Sequence, residues 1–267
     1  MGDAVYLYCF AHANLLPRLE SVGIDGEKTL FSFVHNEVAA VLSTVSTIEF
    51  CGPGAEERLR DLAWIGPRAC RHQAVIVEVM RHSPALPAHF GTIFYSLQSL
   101  EDRLRTQHLS IVHFLDRMAD KEEWGVKVLC DRRKARQELF HKMISHEEQR
   151  LSSLPGARYF QEQRIRGEAE KRLHGWLSST CDKVVGGLEA IVSEIYARKV
   201  LPGRIAGTSR EMFCNWAVLI ARENLPILKE HISLANASYA SSGLLFELSG
   251  PWPPYSFCRF PEWEARD

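Results

Sequence analysis

No CxxC pair occurs in this chain: its seven cysteines, Cys9, Cys51, Cys70, Cys130, Cys181, Cys214 and Cys258, stand at long, irregular intervals. That spacing argues against a thiolate zinc site and against a secreted disulfide framework. It fits a reducing compartment in which each thiol is a small buried hydrophobe. No charge of one sign prevails either, since 32 basic and 33 acidic residues leave a formal net charge of -1. With no global excess to neutralise phosphates or anionic lipid, neither nucleic acid nor a lipid membrane is an expected partner. Long hydrophobic runs are lacking too: the longest, Met212 to Ala221, is interrupted by Asn215 and is too short to span a bilayer. Met1-Gly2-Asp3-Ala4 leads straight into a strand-like run without a basic n-region or cleavable h-region, so the expected location is cytoplasmic.

Catalytic strings are missing as well. GxSxG, the P-loop, GxGxxG and HExxH do not occur. Gly52-Pro53-Gly54 is the only glycine-dense loop, and Pro53 removes a donor that a phosphate cradle would use, so it reads as a turn. The pairs His108/His113 and His141/His146 are spaced by five, which turns the two rings toward different helix faces, whereas one-face ligation needs three or four. His141, His146, Glu147 and Glu148 read as a solvated helix surface, and Asp102 and Asp116 lie on a polar face with no nucleophile at fixed spacing. His89, between Ala88 and Phe90, reads as a structural, hydrogen-bonded histidine. The expectation is therefore no catalytic residue, no metal, no cofactor and no enzyme.

What is present is ample apolar material, 46% of 267 residues, enough for two modest domains. Val5 to Phe10, Leu30 to His35 and Val38 to Thr44 are β-branched and aromatic and predict three strands, the last two joined at Asn36 as an antiparallel hairpin. From about Ala55 the period turns helical, with Leu59, Leu62, Cys70, Gln73, Val77 and Met80 as its apolar face and a kink or break expected at Gly66-Pro67. Leu86 to Phe94 returns to extended character. Leu97, Leu100, Leu104, Ile111, Leu115 and Met118 then mark an amphipathic helix. These elements predict an α+β domain over residues 1–121.

A second α+β domain is expected over residues 122–267. Trp124 to Cys130 reads as a strand and Asp131 as the N-cap of a helix that opens with Arg132, Arg133 and Lys134, against the helix dipole. After a turn at Leu154-Pro155-Gly156, one helical pattern runs from about Arg158 to Arg198, and Gly186-Gly187 marks the weak point where it would bend or end. At 1.5 Å per residue that rod would reach roughly 60 Å, so an inserted, projecting antiparallel helical hairpin is expected over about 131–198. Pro202 and Gly203 predict a turn, Met212 to Ala221 a strand, Leu225 to Tyr239 a helix and Leu244 to Leu248 a last strand. Both sheets are expected to be antiparallel and ferredoxin-like.

The segment Leu244 to Phe257 ends in Ser249-Gly250-Pro251-Trp252-Pro253-Pro254-Tyr255-Ser256-Phe257. Its prolines fix φ and remove donors, so it is not expected to continue as a central strand. It holds Trp252 and Tyr255 at nearly fixed positions, where packing on another surface costs little backbone entropy. Trp252, Pro253, Pro254 and Tyr255 are the candidate protein-binding residues, and a terminal lock over the chain's own core is the competing reading.

The string Glu247 to Phe257 resembles the C-terminal pattern of the GvpF/GvpL family of gas vesicle proteins. Pro87-Ala88-His89-Phe90-Gly91-Thr92 and Glu123-Trp124-Gly125-Val126-Lys127-Val128 match that family in order and separation. The family usually carries Arg where this chain has His89. The resemblance implies a minor structural or assembly protein of gas vesicles, cytoplasmic until it joins the vesicle. Its implied partners are the small hydrophobic shell protein and other gas vesicle accessory proteins. A small-molecule enzyme or sensor on a ferredoxin-like sheet is the alternative. A deep pocket with convergent polar groups would favour the alternative, and an exposed apolar patch near Trp252 the interaction protein.

Overall fold

The computed structural model describes residues 3–50, 52, 54–200 and 209–258. Cys51, Pro53 and the expected turn at Pro202 and Gly203 lie outside the described residues. The chain divides into two compact units, Met1–Glu122 with Trp252–Asp267, and Glu123–Pro251. Periodicity places the domain boundary within a residue of this division but assigns the segment after Trp252 to the second domain. Contacts group that segment with the first unit: Phe257 is buried, and its carbonyl accepts a 2.7 Å hydrogen bond from the Arg117 guanidinium.

In the first unit β1 (Asp3–His12), β2 (Leu30–His35), β3 (Val38–Ser46) and β4 (Ala85–Pro87) lie in the order β2-β3-β1-β4, and β5 (Ile93–Phe94) also pairs with β1. All these pairings are antiparallel. The β2–β3 hairpin turns at Asn36, whose φ of 53° is a conformation that Asn tolerates better than most residues. β1 is buried from Tyr6 to Ala11, so neither of its faces meets water. Tyr6 and Tyr8 share a core with Val75, Ile76 and Val79, while the stripe Leu100, Leu104, Ile111 and Leu115 is buried along a second helix that contacts the same strand.

Those helices are α3 (Leu62–Met80) and α4 (Leu97–Met118), preceded by the short α1 (Thr47–Phe50) and α2 (Ala55–Arg60). The helical region breaks at Asp61, not at Gly66-Pro67. Asp61 is extended and its carboxylate accepts from the Ala63 amide at 2.9 Å, capping α3, which then passes through Pro67 at the loss of one backbone bond. The buried face of α3 is His72, Val75, Ile76 and Val79, one position away from the expected stripe, and Leu59 and Leu62 are exposed.

The second unit holds β6 (Lys121–Cys130), β7 (Glu194–Ala197), β8 (Glu211–Ala221) and β9 (Leu244–Trp252), in the order β7-β8-β6-β9. Along the chain α5 (Arg132–Glu147) and α6 (Pro155–Gly186) lie between β6 and β7, and α7 (Leu225–Tyr239) lies between β8 and β9. One core joins Val126 and Val128 of β6, Val218 and Ile220 of β8, Leu173, Leu177 and Val184 of α6, Leu228 and Ile232 of α7, and Phe246 of β9. Burying each such side chain stabilises the fold by about 1.5–3 kcal/mol.

Asp131 caps α5 as expected, accepting from the amides of Arg133 at 3.1 Å and Lys134 at 3.2 Å. α5 and α6 run antiparallel, since their paired positions move in opposite directions: Arg136 with Glu170, Phe140 with Arg166, Glu147 with Arg164 and Glu148 with Arg158. The helical pattern read to about Arg198 ends at its Gly186-Gly187 weak point, and Glu194 to Ala197 pairs with β8 as a strand. His231 of α7 ends it by donating from Nε2 to the Val184 carbonyl at 2.9 Å. A Cβ on Gly187 would meet that ring at 2.6 Å.

Candidate interaction surface

β9 is an edge strand, and this is why it tolerates Pro251, which the sequence pattern placed beyond the last strand. Gly250 sits at φ 148°, and a Cβ there would lie 2.9 Å from Cδ2 of Trp124 and 3.0 Å from the Glu123 carbonyl. Only glycine fits that contact. The peptide between Gly250 and Pro251 is cis.

Beyond the strand the chain tightens into a 3₁₀ turn, Tyr255–Phe257, closed by the Tyr255 amide on the Pro253 carbonyl at 2.7 Å and the Phe257 amide on the Pro254 carbonyl at 3.2 Å. The Cys258 thiol donates to the same Pro254 carbonyl at 2.9 Å. Phe257 is the plug and Arg117 of α4 holds its carbonyl. On this footing the four candidate residues divide. Pro253 and Pro254 are buried, whereas Trp252 and Tyr255 keep 38% and 37% of their surfaces exposed. Burial pushes the Tyr255 hydroxyl well above the usual phenol range. The turn thus presents two aromatic surfaces on a fixed base.

The other strongly perturbed groups of the first unit are shut in its core. The Gly91 amide donates to the Tyr6 hydroxyl at 3.0 Å, so that hydroxyl donates to Nδ1 of His72 at 2.9 Å, and Nε2 of His72 donates to the Ala88 carbonyl at 3.2 Å. Tyr8 shares a 2.8 Å bond with the Ser43 hydroxyl and accepts from the Ile24 amide. Burial holds His72 down to about 4 and lifts Tyr8 to about 12. With Tyr6 at 0% and His72 at 3% exposure, a ligand has no access to this chain of bonds, which joins β1, α3 and the 88–91 loop. His89, expected to be the structural histidine, is exposed, and His72 takes that role. The one available signal was its position three, four and seven residues before Val75, Ile76 and Val79, on an otherwise apolar stripe.

Of the remaining histidines, His108 is largely buried against His35 and lies 3.3 Å from Glu37. His141 and His146 are exposed, Glu147 and Glu148 pair with Arg164 and Arg158, and Asp116 lies 3.4 Å from His12. No helix among the described residues is long and apolar enough to cross a membrane.

Comparison with known proteins gives one consistent result. The family model described as gas vesicle synthesis protein GvpL/GvpF matches residues 4–259. The chain is 26% identical over 254 residues to gas vesicle protein L of Streptomyces sp. (strain CB03234), covering 92% of this chain and 88% of that protein. Its fold is similar to the crystal structure of GvpF from Anabaena sp. PCC7120, at 17% identity and a TM-score of 0.70, covering 98% of each chain. The GvpF structure from Microcystis aeruginosa gives 15% identity and a TM-score of 0.65, over 95% of this chain and 98% of that one.

Proposed function

This chain belongs to the gas vesicle synthesis protein GvpL/GvpF family, and from that premise we propose that it is a minor structural or assembly protein that engages the small hydrophobic shell subunit during vesicle formation. The observation that supports this reading is the division within the terminal turn: buried prolines fix the backbone while Trp252 and Tyr255 each stay more than a third exposed. Rigid aromatic anchors lose little entropy on binding and often dominate interfaces. The protein works without turnover chemistry, first in the cytoplasm and then at the vesicle, and meets other accessory proteins there. Deleting its gene from a vesicle-forming host tests the role. Absent or deformed vesicles are expected, and normal buoyancy with normal vesicle morphology would overturn it.

A further inference from the structure

The antiparallel pair α5 and α6 leaves between its helices a groove of about 660 Å³, lined by Arg133, Arg136, Phe140, His141, Arg166 and Gly167, with Glu170 at its side. Three arginines face one carboxylate, and that carboxylate is already used: Glu170 accepts from Arg136 at 3.0 Å. Arg166 lies over the Phe140 ring at 5.0 Å. Neither Arg133 nor Arg166 has an ion pair among the described residues. In a chain of net charge -1 this is a local concentration of positive charge and not a reflection of composition. It also runs against local preference, because the first turn of α5 carries no acidic residue and begins Arg132-Arg133-Lys134 against the helix dipole. Arg132 is offset by Glu211 and the helix end by Asp131, which leaves Arg133 as the residue without local compensation.

The floor of the groove is open. A Cβ built on Gly167 meets nothing within 4 Å, and Phe140, which is only partly buried, lines the groove beside it. We propose that this groove is the docking site for an acidic helical segment of another protein. Such a segment lies along the α5–α6 cleft as a third helix, with its apolar edge on Phe140 and Gly167 and its carboxylates on Arg133 and Arg166. Arg166 sits across from Phe140, seven positions after Arg133, a separation of roughly 10 Å along the helix axis. Carboxylates two helical turns apart on the partner span about the same distance. The site is separate from the Trp252 turn and does not depend on the reading of that turn.

The test uses the full chain and a fluorescein-labelled helical peptide of about 18 residues, long enough to hold helix, with glutamates two turns apart on an otherwise leucine and alanine face. Its counterpart carries glutamine at those positions. Fluorescence anisotropy should show saturable binding of the acidic peptide, weakened at least about tenfold by Arg133→Glu and by Arg166→Glu, a change equivalent to about 1.4 kcal/mol. The glutamine peptide should bind at least as much more weakly. Gly167→Leu should block the groove while leaving the fold intact, because leucine favours helix more than glycine does. Absence of saturable binding, or binding that ignores Arg166→Glu and Gly167→Leu, would overturn the proposal. Equal competition by a single-stranded oligonucleotide of matched charge would also overturn it, since the groove would then be an unspecific anion surface.

Discussion

Lowering the pH from 7 to 5 should destabilise the first unit through a single buried histidine. His72 titrates near 6.5 in an unfolded chain and is held down to about 4 in the fold by burial. Between those values the unfolded state binds the extra proton and the folded state does not, so stability rises with pH across the window and is lost as pH falls through it. The loss is about 2 kcal/mol at pH 5 and about 3 kcal/mol at pH 4, where the imidazole would have to charge while facing the Tyr6 hydroxyl and the Ala88 carbonyl. Glu78 adds a term only lower down. Although partial burial raises its pKa, bonds from Ser21 and the Glu20 amide bring it below its ordinary value of 4.5, so its contribution fades beneath that point. Urea unfolding followed by the NMR peaks of the β1 amides at pH 7, 6 and 5 measures the slope. His72→Leu should be less stable at every pH, since it orphans Tyr6 and Ala88, yet its slope above pH 5 should be flatter. An imidazole that titrates near 6.5 in the folded protein, or an unchanged slope in the variant, would refute the reasoning.

Two further outcomes test the second unit. Leu177 is fully buried between α6 and the sheet, so Leu177→Ala should cost about 2–5 kcal/mol, read as a fall in the denaturation midpoint. Gly175 lies exposed inside α6 with nothing within 4 Å of a built Cβ, so Gly175→Ala should stabilise by about 0.5–1 kcal/mol, and a loss of stability on chemical denaturation would contradict the placement.

Element types were legible wherever apolar period and caps agreed. The stripe of α4, the Asp131 cap and the Asn36 turn all stand where local chemistry places them. The departures share a physical origin, since each depends on a partner far away in sequence. The face of α3 was misphased because His72 counts as polar until Tyr6, sixty-six residues earlier, supplies its bond. α6 ends at the Gly186-Gly187 weak point that the sequence marks, but the periodicity runs on to Arg198, and nothing near Gly186 announces His231, which reaches the Val184 carbonyl from α7. Pro251 signals the end of a strand unless that strand is known to be an edge. Of the candidate surface, proline spacing marked the rigid turn and its aromatic content. Which members face solvent was not legible, because Pro253, Pro254 and Phe257 are buried by a packing that Arg117 anchors from α4. The α5–α6 groove was visible only as an unfavourable basic helix start, and its opposite wall, Arg166 and Gly167, becomes adjacent only when the two helices pair.

The most direct measurement of the central claim is a binding titration of purified shell subunit against wild type and Trp252→Ala, with chemical denaturation of both proteins alongside. The account expects affinity to fall by about 2 kcal/mol or more, roughly thirtyfold, because the exposed ring acts as an anchor. Folding should be weakened less than that, since Trp252 keeps 38% of its surface exposed. A stability loss of about 3–5 kcal/mol, with the remaining folded protein binding as tightly as wild type, would contradict it and make Trp252 a lock on the first unit's own core.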